Sequence, residues 1–321
     1  MSSNFKNLYT SNNPPLEATF IRGSKTESIH KIHAVISDKK GRVLMCAGNP
    51  EYKSFIRSAL KPFQALPFVS SGAASKINNS SKSIALACGS HSGSSLHSRE
   101  AFKILWEYDI DINNLKCPIS KTSKLQHNCS GKHAAFLATC KKLNWPLTSY
   151  LKGDHPLQIE IFRIVSELLE IPISEIIAER DDCGAPTLYL KLLEMSRLYS
   201  LLSSADNAEL EQISRAMTTN PVMISDNNKF DTEIIKASHG QVIGKGGAEG
   251  IQCFSKVNEG IGLALKVEDG SKRAKHAASL HLLRQLEWIS DLRIQDIEEK
   301  VFNFSEGVRL EVKGKLKFQE S

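Results

Sequence analysis

The apolar positions of this 321-residue chain predict strands near both ends and helices between them. The runs HAVIS (33–37) and VLMCA (43–47) are joined by a polar Asp-Lys-Lys-Gly segment, which is typical of a β-hairpin. Strand-like runs return as QVIGK, IQCFS and GLALK between residues 241 and 266, and VRLEVKGKLKF (308–318) is a final strand candidate. This grouping predicts an α+β fold whose mixed, largely antiparallel sheet is built from both chain ends.

The middle of the chain carries helical patterns that we expect to cover this sheet. Apolar residues recur at helical spacing in REAFKILWEY (99–108), PLQIEIFRIVSELLE (156–170), TLYLKLLEMSRLYSLL (187–202) and SKRAKHAASLHLLRQL (271–286). The run IALAC (84–88) follows a polar loop and is strand-like. Since no repeat or long linker divides the chain, we predict one domain over residues 15–321, after a disordered polar tail at 1–14.

Composition and charge narrow the classes of function. The chain is 41% apolar, enough for a dry core, and its formal charge of +6 is spread along the sequence, which argues against a nucleic-acid partner. No apolar run approaches the roughly 20 residues that span a bilayer, and the N-terminus lacks a signal-peptide core, so we expect a cytoplasmic protein without a membrane partner. Seven cysteines, an odd number, favour free thiols or a metal site over a disulfide framework.

A serine and a lysine lie three residues apart in RSALKPFQALP (57–67), where the pattern changes from strand to helix. At a helix start this spacing places Ser58 and Lys61 on one face, and a buried lysine can accept a proton from a serine hydroxyl. A solvated lysine in the first turn of an ordinary helix would give the same pattern. The apolar segment after Lys61 favours burial, and therefore a serine-lysine pair.

Two glycine-rich segments offer a second pair of the same kind. In ACGSHSGSSLH (87–97), the glycines would let backbone amides approach a ligand and Ser90 supplies a hydroxyl, although a turn that caps the next helix is an equal alternative. In VIGKGGAEG (242–250), Lys245 ends a strand ahead of two glycines. That position suits a lysine that holds a small anionic substrate or a second serine.

Two cysteines lie where loops meet helices. HNCSGKHAAFLATC (127–140) opens a helix with Cys129 and Lys132, and DDCGAP (181–186) contributes Cys183. Thiolates at such junctions can ligate zinc. Because C-x-x-C pairs are absent, buried structural thiols are the alternative.

The order of these segments closely resembles the L-asparaginase II family, the Rhizobium-type asparaginases of the serine beta-lactamase-like fold. The resemblance extends from about residue 17 to residue 280 and rests on RSALKPFQALP, ACGSHSG, HNCSGKHAAFLATC, DDCGAPT, FDT, GKGGAEGIQC and ALKVEDGSKRA in that order. It implies a mixed sheet covered by helices, a homodimer, and hydrolysis of L-asparagine to L-aspartate and ammonia.

The resemblance also implies roles for individual residues. Ser58 with Lys61, and Ser90 with Lys245, would form two Ser-Lys dyads. From the chemistry of amide hydrolysis we expect Ser58 to attack and Ser90 with Lys245 to relay a proton to the departing ammonia. Cys129, Lys132 and Cys183 match the positions that hold a zinc ion in family members, where the metal supports substrate binding. Arg57 and Asp182 match polar residues that line the same pocket.

One segment departs from the family pattern. Relatives carry GTGR before FDT, whereas this chain reads Asp226-Asn227-Asn228-Lys229, which makes Lys229 the candidate substrate-binding residue in place of an arginine. Asn228 can adopt a left-handed conformation, but Lys229 cannot form the two-pronged clamp of an arginine. Two other hypotheses stand beside the asparaginase: a related Ser-Lys glutaminase or beta-lactam-reactive enzyme, and a non-catalytic zinc-binding protein on a decayed asparaginase scaffold.

Overall fold

Both ends of the chain form the main sheet, which confirms the predicted α+β class. The computed structural model describes residues 13–319. Within that range the strands are β1 (Leu16–Arg22), β2 (Lys25–Asp38), β3 (Val43–Ala47), β4 (Lys53–Phe55), β5 (Ile177–Arg180), β6 (Pro186–Lys191), β7 (Val242–Gly246), β8 (Ile251–Lys256), β9 (Ile261–Val267), β10 (Val308–Lys313) and β11 (Lys317–Phe318). The main sheet has the order β10-β1-β2-β9-β8-β7, with β3 paired to β2 and β11 to β3. These described pairs are all antiparallel.

The long strand β2 is the centre of the sheet. Its first half pairs with β1, its second half pairs with β3 across the predicted hairpin, and β9 runs along its other side. The sequence pattern does not predict the small second sheet, in which β6 lies between β4 and β5. Its strands are short and far apart in sequence, so only the folded chain brings them together.

The helices between the two groups of strands cover the sheet. In the described residues they are α1 (Lys61–Gln64), α2 (Leu66–Ser70), α3 (Ser80–Cys88), α4 (Ser95–Glu107), α5 (Ser130–Lys142), α6 (Pro156–Leu169), α7 (Leu192–Leu202), α8 (Ala208–Thr219), α9 (Pro221–Ile224), α10 (Phe230–Ala237), α11 (Lys272–Gln285) and α12 (Asp291–Val301).

Two predicted elements differ in the structure. The run IALAC belongs to helix α3 rather than to a strand, because the helix is buried on every side and its apolar residues show no helical period. The segment 187–202 is predicted as one helix, but its first five residues lie in β6 and only the rest in α7. A leucine-rich run fits either element, and pairing with β4 and β5 selects the strand.

The main sheet buries both of its faces, so its apolar residues divide into two clusters. On β8 and β9, Cys253 and Ala264 belong to the cluster that includes residues of α1 to α8, whereas Phe254 and Leu265 belong to the cluster with α11 and α12. Successive side chains of a strand point to opposite faces, which explains the division. Strand β7, at the edge of this sheet, therefore meets both helical layers.

The structure also bears on three other predictions, which concern the N-terminal tail, the cysteines and membrane-spanning segments. Residues 1–12 of the predicted disordered tail lie outside the described residues, while Asn13 contacts Cys46 on β3. All seven cysteines are free and buried, which confirms the preference for thiols over disulfides. No helix of the described chain is both long and apolar enough to cross a membrane.

Candidate active site

Ser58 lies in a single 3-10 turn, Arg57–Leu60, that leads directly into α1 at Lys61. The chain enters this turn through Arg57, whose φ of 53° is a left-handed conformation that residues other than glycine seldom adopt. Strained backbone of this kind is frequent at functional sites. Lys61 is 1% exposed, so its predicted burial is confirmed and a solvated lysine is excluded.

One network of hydrogen bonds links Lys61, Ser90 and Lys245. Lys61 Nζ lies 2.9 Å and Lys245 Nζ 3.0 Å from Ser90 Oγ, so both amines can donate to one hydroxyl. Lys61 also donates to the carbonyl of Gly89 at 2.5 Å. The Ser58 side chain makes no hydrogen bond to any described residue. The lysines of both predicted pairs thus contact Ser90, and the Ser58 hydroxyl is left unengaged.

Asp231, in the FDT segment, is a buried carboxylate that orders this network, and reasoning from the sequence assigned no role to it. It accepts hydrogen bonds from the Gly246 amide at 3.0 Å and from Gln252 Nε2 at 2.9 Å. Its Oδ2 lies 3.6 Å from Lys245 Nζ. Burial lowers the pKa of Lys245 to about 8, although the Asp231 carboxylate opposes that change.

The packing around Ser90 requires glycine at two positions. A Cβ on Gly89 would lie 2.4 Å from the carbonyl of Met223, and a Cβ on Gly93 would lie 2.0 Å from that of Gln126. No side chain fits either place. The glycines therefore fix the path of the backbone, and this path sets Ser90 between the two lysines.

A cavity of about 410 Å³ opens beside the network. We call it the Ser-Lys cavity; its lining includes Ser58, Ser90, Asn128, Lys229, Lys245 and Lys275. Lys275 is another buried cation that the sequence did not reveal, because only the packing of α11 against the sheet buries a lysine in an ordinary helical pattern. Its amine donates to the carbonyl of Gly247 at 3.1 Å.

The DNNK segment forms an ordered turn at the mouth of this cavity. Asn228 has a φ of 58°, which confirms that it takes the left-handed conformation. Ser92 donates to Asp226, and the Asn228 amide donates to Glu233 at 3.1 Å. Lys229 lines the cavity and is exposed, and its side chain forms no hydrogen bond or ion pair with another described residue.

Arg57 and Asp182 bind each other rather than lining the Ser-Lys cavity. The Arg57 guanidinium donates to Asp181 Oδ1 at 2.8 Å and to Asp182 Oδ2 at 2.6 Å. These contacts fasten the turn that carries Ser58 to the loop that carries Cys183. Arg57 is therefore a structural link between the serine and the candidate metal ligands.

The candidate metal ligands converge in the interior. Cys129, Lys132 and Cys183 are all buried, and Lys132 Nζ lies 3.2 Å from Cys183 Sγ. A hydrogen bond from the Cys129 thiol and the nearby Lys132 ammonium hold the pKa of Cys183 far below its usual value. Burial lowers the pKa of Lys132, but the two sulfur atoms outweigh burial and raise it.

This donor set would hold a zinc ion through three protein ligands with one position open once Lys132 has lost its proton, because an ammonium has no lone pair to donate. A thiol already poised to ionise and a second thiol beside it are the soft ligands that zinc prefers. Across residues 13–319, no three His, Cys, Asp or Glu side chains are arranged to hold a metal ion, so the site depends on the Lys132 amine as its third ligand. Asn128, which precedes Cys129, is part of the Ser-Lys cavity, so a metal here would lie next to that cavity.

A serine with an unengaged hydroxyl beside buried lysines is an arrangement that suits enzymes of acyl transfer. Comparison with protein families identifies the particular family. Residues 18–318 match the L-asparaginase II family. The match covers nearly the whole chain, so this protein belongs to the L-asparaginase II family. No curated protein gives a significant match.

Solved structures resemble the chain at low sequence identity. Mglu in its native form is 9% identical, with a TM-score of 0.40, over 80% of this chain and 64% of that one. Mglu in its glutamate form is 12% identical, with a TM-score of 0.42, over 80% of this chain and 61% of that one. A beta-lactamase from Mycobacterium bovis is 10% identical, with a TM-score of 0.40, over 81% of this chain and 95% of that one. The chain thus spans less than two thirds of the length of either Mglu chain.

Proposed function

We propose that this chain is an L-asparagine amidohydrolase, which hydrolyses the side-chain amide to give L-aspartate and ammonia. The observation that carries the proposal is the placement of Lys61 and Lys245 on the single hydroxyl of Ser90, beside the unengaged hydroxyl of Ser58. Amide hydrolysis needs a nucleophile, a route for a proton to the leaving nitrogen, and positive charge near the developing oxyanion. Membership of the L-asparaginase II family supports the choice of reaction.

Ser58 is the attacking group in this mechanism. Its oxygen forms a bond to the amide carbon while its proton passes to Lys61, the lysine that follows it by one turn. The carbonyl oxygen of the amide gains negative charge at this step. Lys245 and Lys275 make the cavity electropositive and favour that charge.

Ser90 carries the proton to the leaving group. It lies within hydrogen-bonding distance of Lys61, so it can give its own proton to the amide nitrogen and receive one from Lys61. The carbon–nitrogen bond then breaks and ammonia leaves. Water attacks the Ser58 ester, and the reverse proton path restores the serine and releases aspartate.

Lys229 is the proposed contact for the substrate carboxylate, because it lines the cavity and its ammonium has no ion partner in the part of the chain that the structure describes. Cys129, Lys132 and Cys183 are the proposed zinc ligands. A zinc ion there would supply a Lewis-acidic contact that positions the substrate. Arg57, through Asp181 and Asp182, holds the Ser58 turn against the Cys183 loop.

The test is ammonia release by the purified full-length protein, measured with L-asparagine and with L-glutamine. We expect turnover of asparagine, higher kcat/KM for asparagine than for glutamine, and no covalent adduct with a penicillin by mass spectrometry. Preferred release from glutamine, or acylation by the penicillin, would identify the related enzyme instead.

A folded protein that binds zinc but releases ammonia from neither amide would identify a decayed scaffold. The matched control for replacement of Ser58 is Ser71→Ala, because Ser71 is a partly buried serine that directly follows α2 and does not line the Ser-Lys cavity. It should behave like the unaltered protein.

A further inference from the structure

A second cavity, of about 580 Å³, adjoins the Ser-Lys cavity. We call it the basic cavity, because four of the residues that line it are cations: Lys229, Lys272, Arg273 and Lys300. No carboxylate among the described residues lines it. Phe302 and Phe304, stacked with 5.2 Å between ring centroids, supply its apolar wall.

Most of this positive charge has no ion partner among residues 13–319. Lys229 and Lys272 form no ion pair with a described residue. The Arg273 guanidinium lies over the ring of Phe20 and donates to Ser28 Oγ at 2.8 Å, but it meets no described carboxylate. Only Lys300 is paired, with Glu233 at 2.9 Å. Unpaired cations held around one concave surface attract anions.

The two cavities share part of their lining. Lys229, Lys272 and His276 belong to both, and the His276 ring is held by stacking on Phe230 at 4.1 Å. Lys229 is also the proposed contact for the substrate α-carboxylate. A substrate that continued beyond its α-carboxyl group would therefore extend past Lys229 into the basic cavity.

We propose that the basic cavity is a subsite for the carboxylates of an acidic residue joined by a peptide bond to the α-carboxyl group of asparagine. The substrate class is then an asparaginyl dipeptide with an acidic second residue, in addition to free asparagine. This inference rests on the proposed function, because that function sets the direction in which the dipeptide extends from the Ser-Lys cavity. The two carboxylates of the second residue face the unpaired cations, and its methylene groups face Phe302.

The first test compares hydrolysis of Asn-Glu and Asn-Gln, which differ in one charge. Charge-assisted hydrogen bonds predict that kcat/KM for Asn-Glu exceeds that for Asn-Gln by about tenfold at low ionic strength. The preference should shrink in about 1 M salt, where the screening length falls to about 3 Å. Equal kcat/KM values for the two dipeptides at low salt would overturn the proposal.

Substitutions in the basic cavity test whether this cavity causes the preference for Asn-Glu over Asn-Gln. Arg273→Gln and Lys300→Gln, which line only the basic cavity of the two, should each reduce the ratio several-fold. Lys236→Gln removes another partly exposed lysine beside Glu233 that lines neither cavity, and it should leave the ratio unchanged. Lys300, with an exposed side chain, remains informative if Arg273→Gln fails to fold. A ratio that neither variant changes would place the preference elsewhere and overturn the proposal.

Calorimetric binding of the products Asp-Glu and Asp-Gln requires no turnover. Tighter binding of Asp-Glu, weakened in Lys300→Gln, would support the subsite even if the protein hydrolysed no amide. Conversely, asparagine turnover without any Asp-Glu preference would support the proposed function and overturn the subsite. Glutarate is the probe for a free anion. If glutarate binds as tightly as Asp-Glu, the site takes free dicarboxylates and not a substrate extension, and the proposal fails.

Discussion

The side-chain amine of Lys61 donates to the hydroxyl of Ser90, which lies 29 positions further along the chain, at 2.9 Å. Ser58, only three positions away, forms no such bond. Three of the four residues in the two pairs that the sequence suggests, Lys61, Ser90 and Lys245, therefore form one network with Ser90 at its centre, and the Ser58 hydroxyl lies outside it. Groups that act as one unit lose their function together, and this property makes the network testable.

Replacing the proposed attacking serine should greatly reduce turnover without unfolding the protein. Ser58→Ala should reduce kcat by at least about a thousandfold, because the variant retains the proton path but has no nucleophile. Lys61→Met should be almost as severe, and the double variant little worse than either. Ammonia release and a thermal unfolding curve measure the two effects. Near-normal activity in folded Ser58→Ala would assign the attack to another group.

The protonation of Lys245 should limit activity at alkaline pH. Because the pKa of Lys245 is lowered to about 8, its ammonium, which donates to Ser90, is lost as the pH rises through that value. We therefore expect kcat/KM to fall with a midpoint near pH 8. The Asp231 carboxylate favours the ammonium, so Asp231→Asn should move this midpoint to lower pH.

The control for this pH profile is Asp206→Asn, which alters an exposed carboxylate paired with Lys39 on the surface. It should leave the midpoint where it is. Since all three proteins use the same substrate, titration of the substrate itself cancels in the comparison. If the midpoint of the alkaline fall in kcat/KM does not move in Asp231→Asn, Lys245 does not govern that fall.

Metal content should depend on the buried thiols. If Cys129, Lys132 and Cys183 share one zinc ion, elemental analysis of gently purified protein should find about one zinc per chain, and Cys183→Ser should lose most of it. Cys140→Ser, a buried thiol further along the same helix as Lys132, should keep its zinc. Full zinc content in Cys183→Ser would make these cysteines core thiols.

Chelation distinguishes two roles for such an ion. A metal that positions the substrate should mainly raise KM when it is removed. A collapse of kcat would instead mean that it takes part in the chemical step.

Substrate affinity should respond to the cation that replaces an arginine in the DNNK turn. Lys229→Arg should lower KM for asparagine by roughly three- to thirtyfold, the effect of about 1 to 2 kcal/mol, because an arginine can hold a carboxylate by two parallel hydrogen bonds. Since ground state and transition state share this contact, kcat should hardly change. Lys229 has no described ion partner, so its replacement should not destabilise the fold. An unchanged KM would show that Lys229 is a solvated charge in an exposed turn.

The sequence by itself determined the class of the fold and singled out the candidate reactive groups. Strand periods grouped at the two chain ends identify the main sheet, because alternation reflects burial of strand faces and is visible locally. The spacing of Ser58 and Lys61 is visible in the sequence, and the burial of Lys61 could be predicted because it depends on the apolar residues that follow it. Where an element is buried on every side, as α3 is, periodicity disappears and the prediction fails.

The tertiary structure alone decided how these groups pair. Asp231 and Lys275 gain their roles from burial beside Lys245, across distances in sequence that no local pattern encodes. Likewise, Ser90 meets Lys61 because Gly89 packs against the carbonyl of Met223, a contact between segments more than a hundred residues apart. Local propensity selects helices and strands, but hydrogen bonds and charges act through space, so the connections of the network exist only in the folded chain.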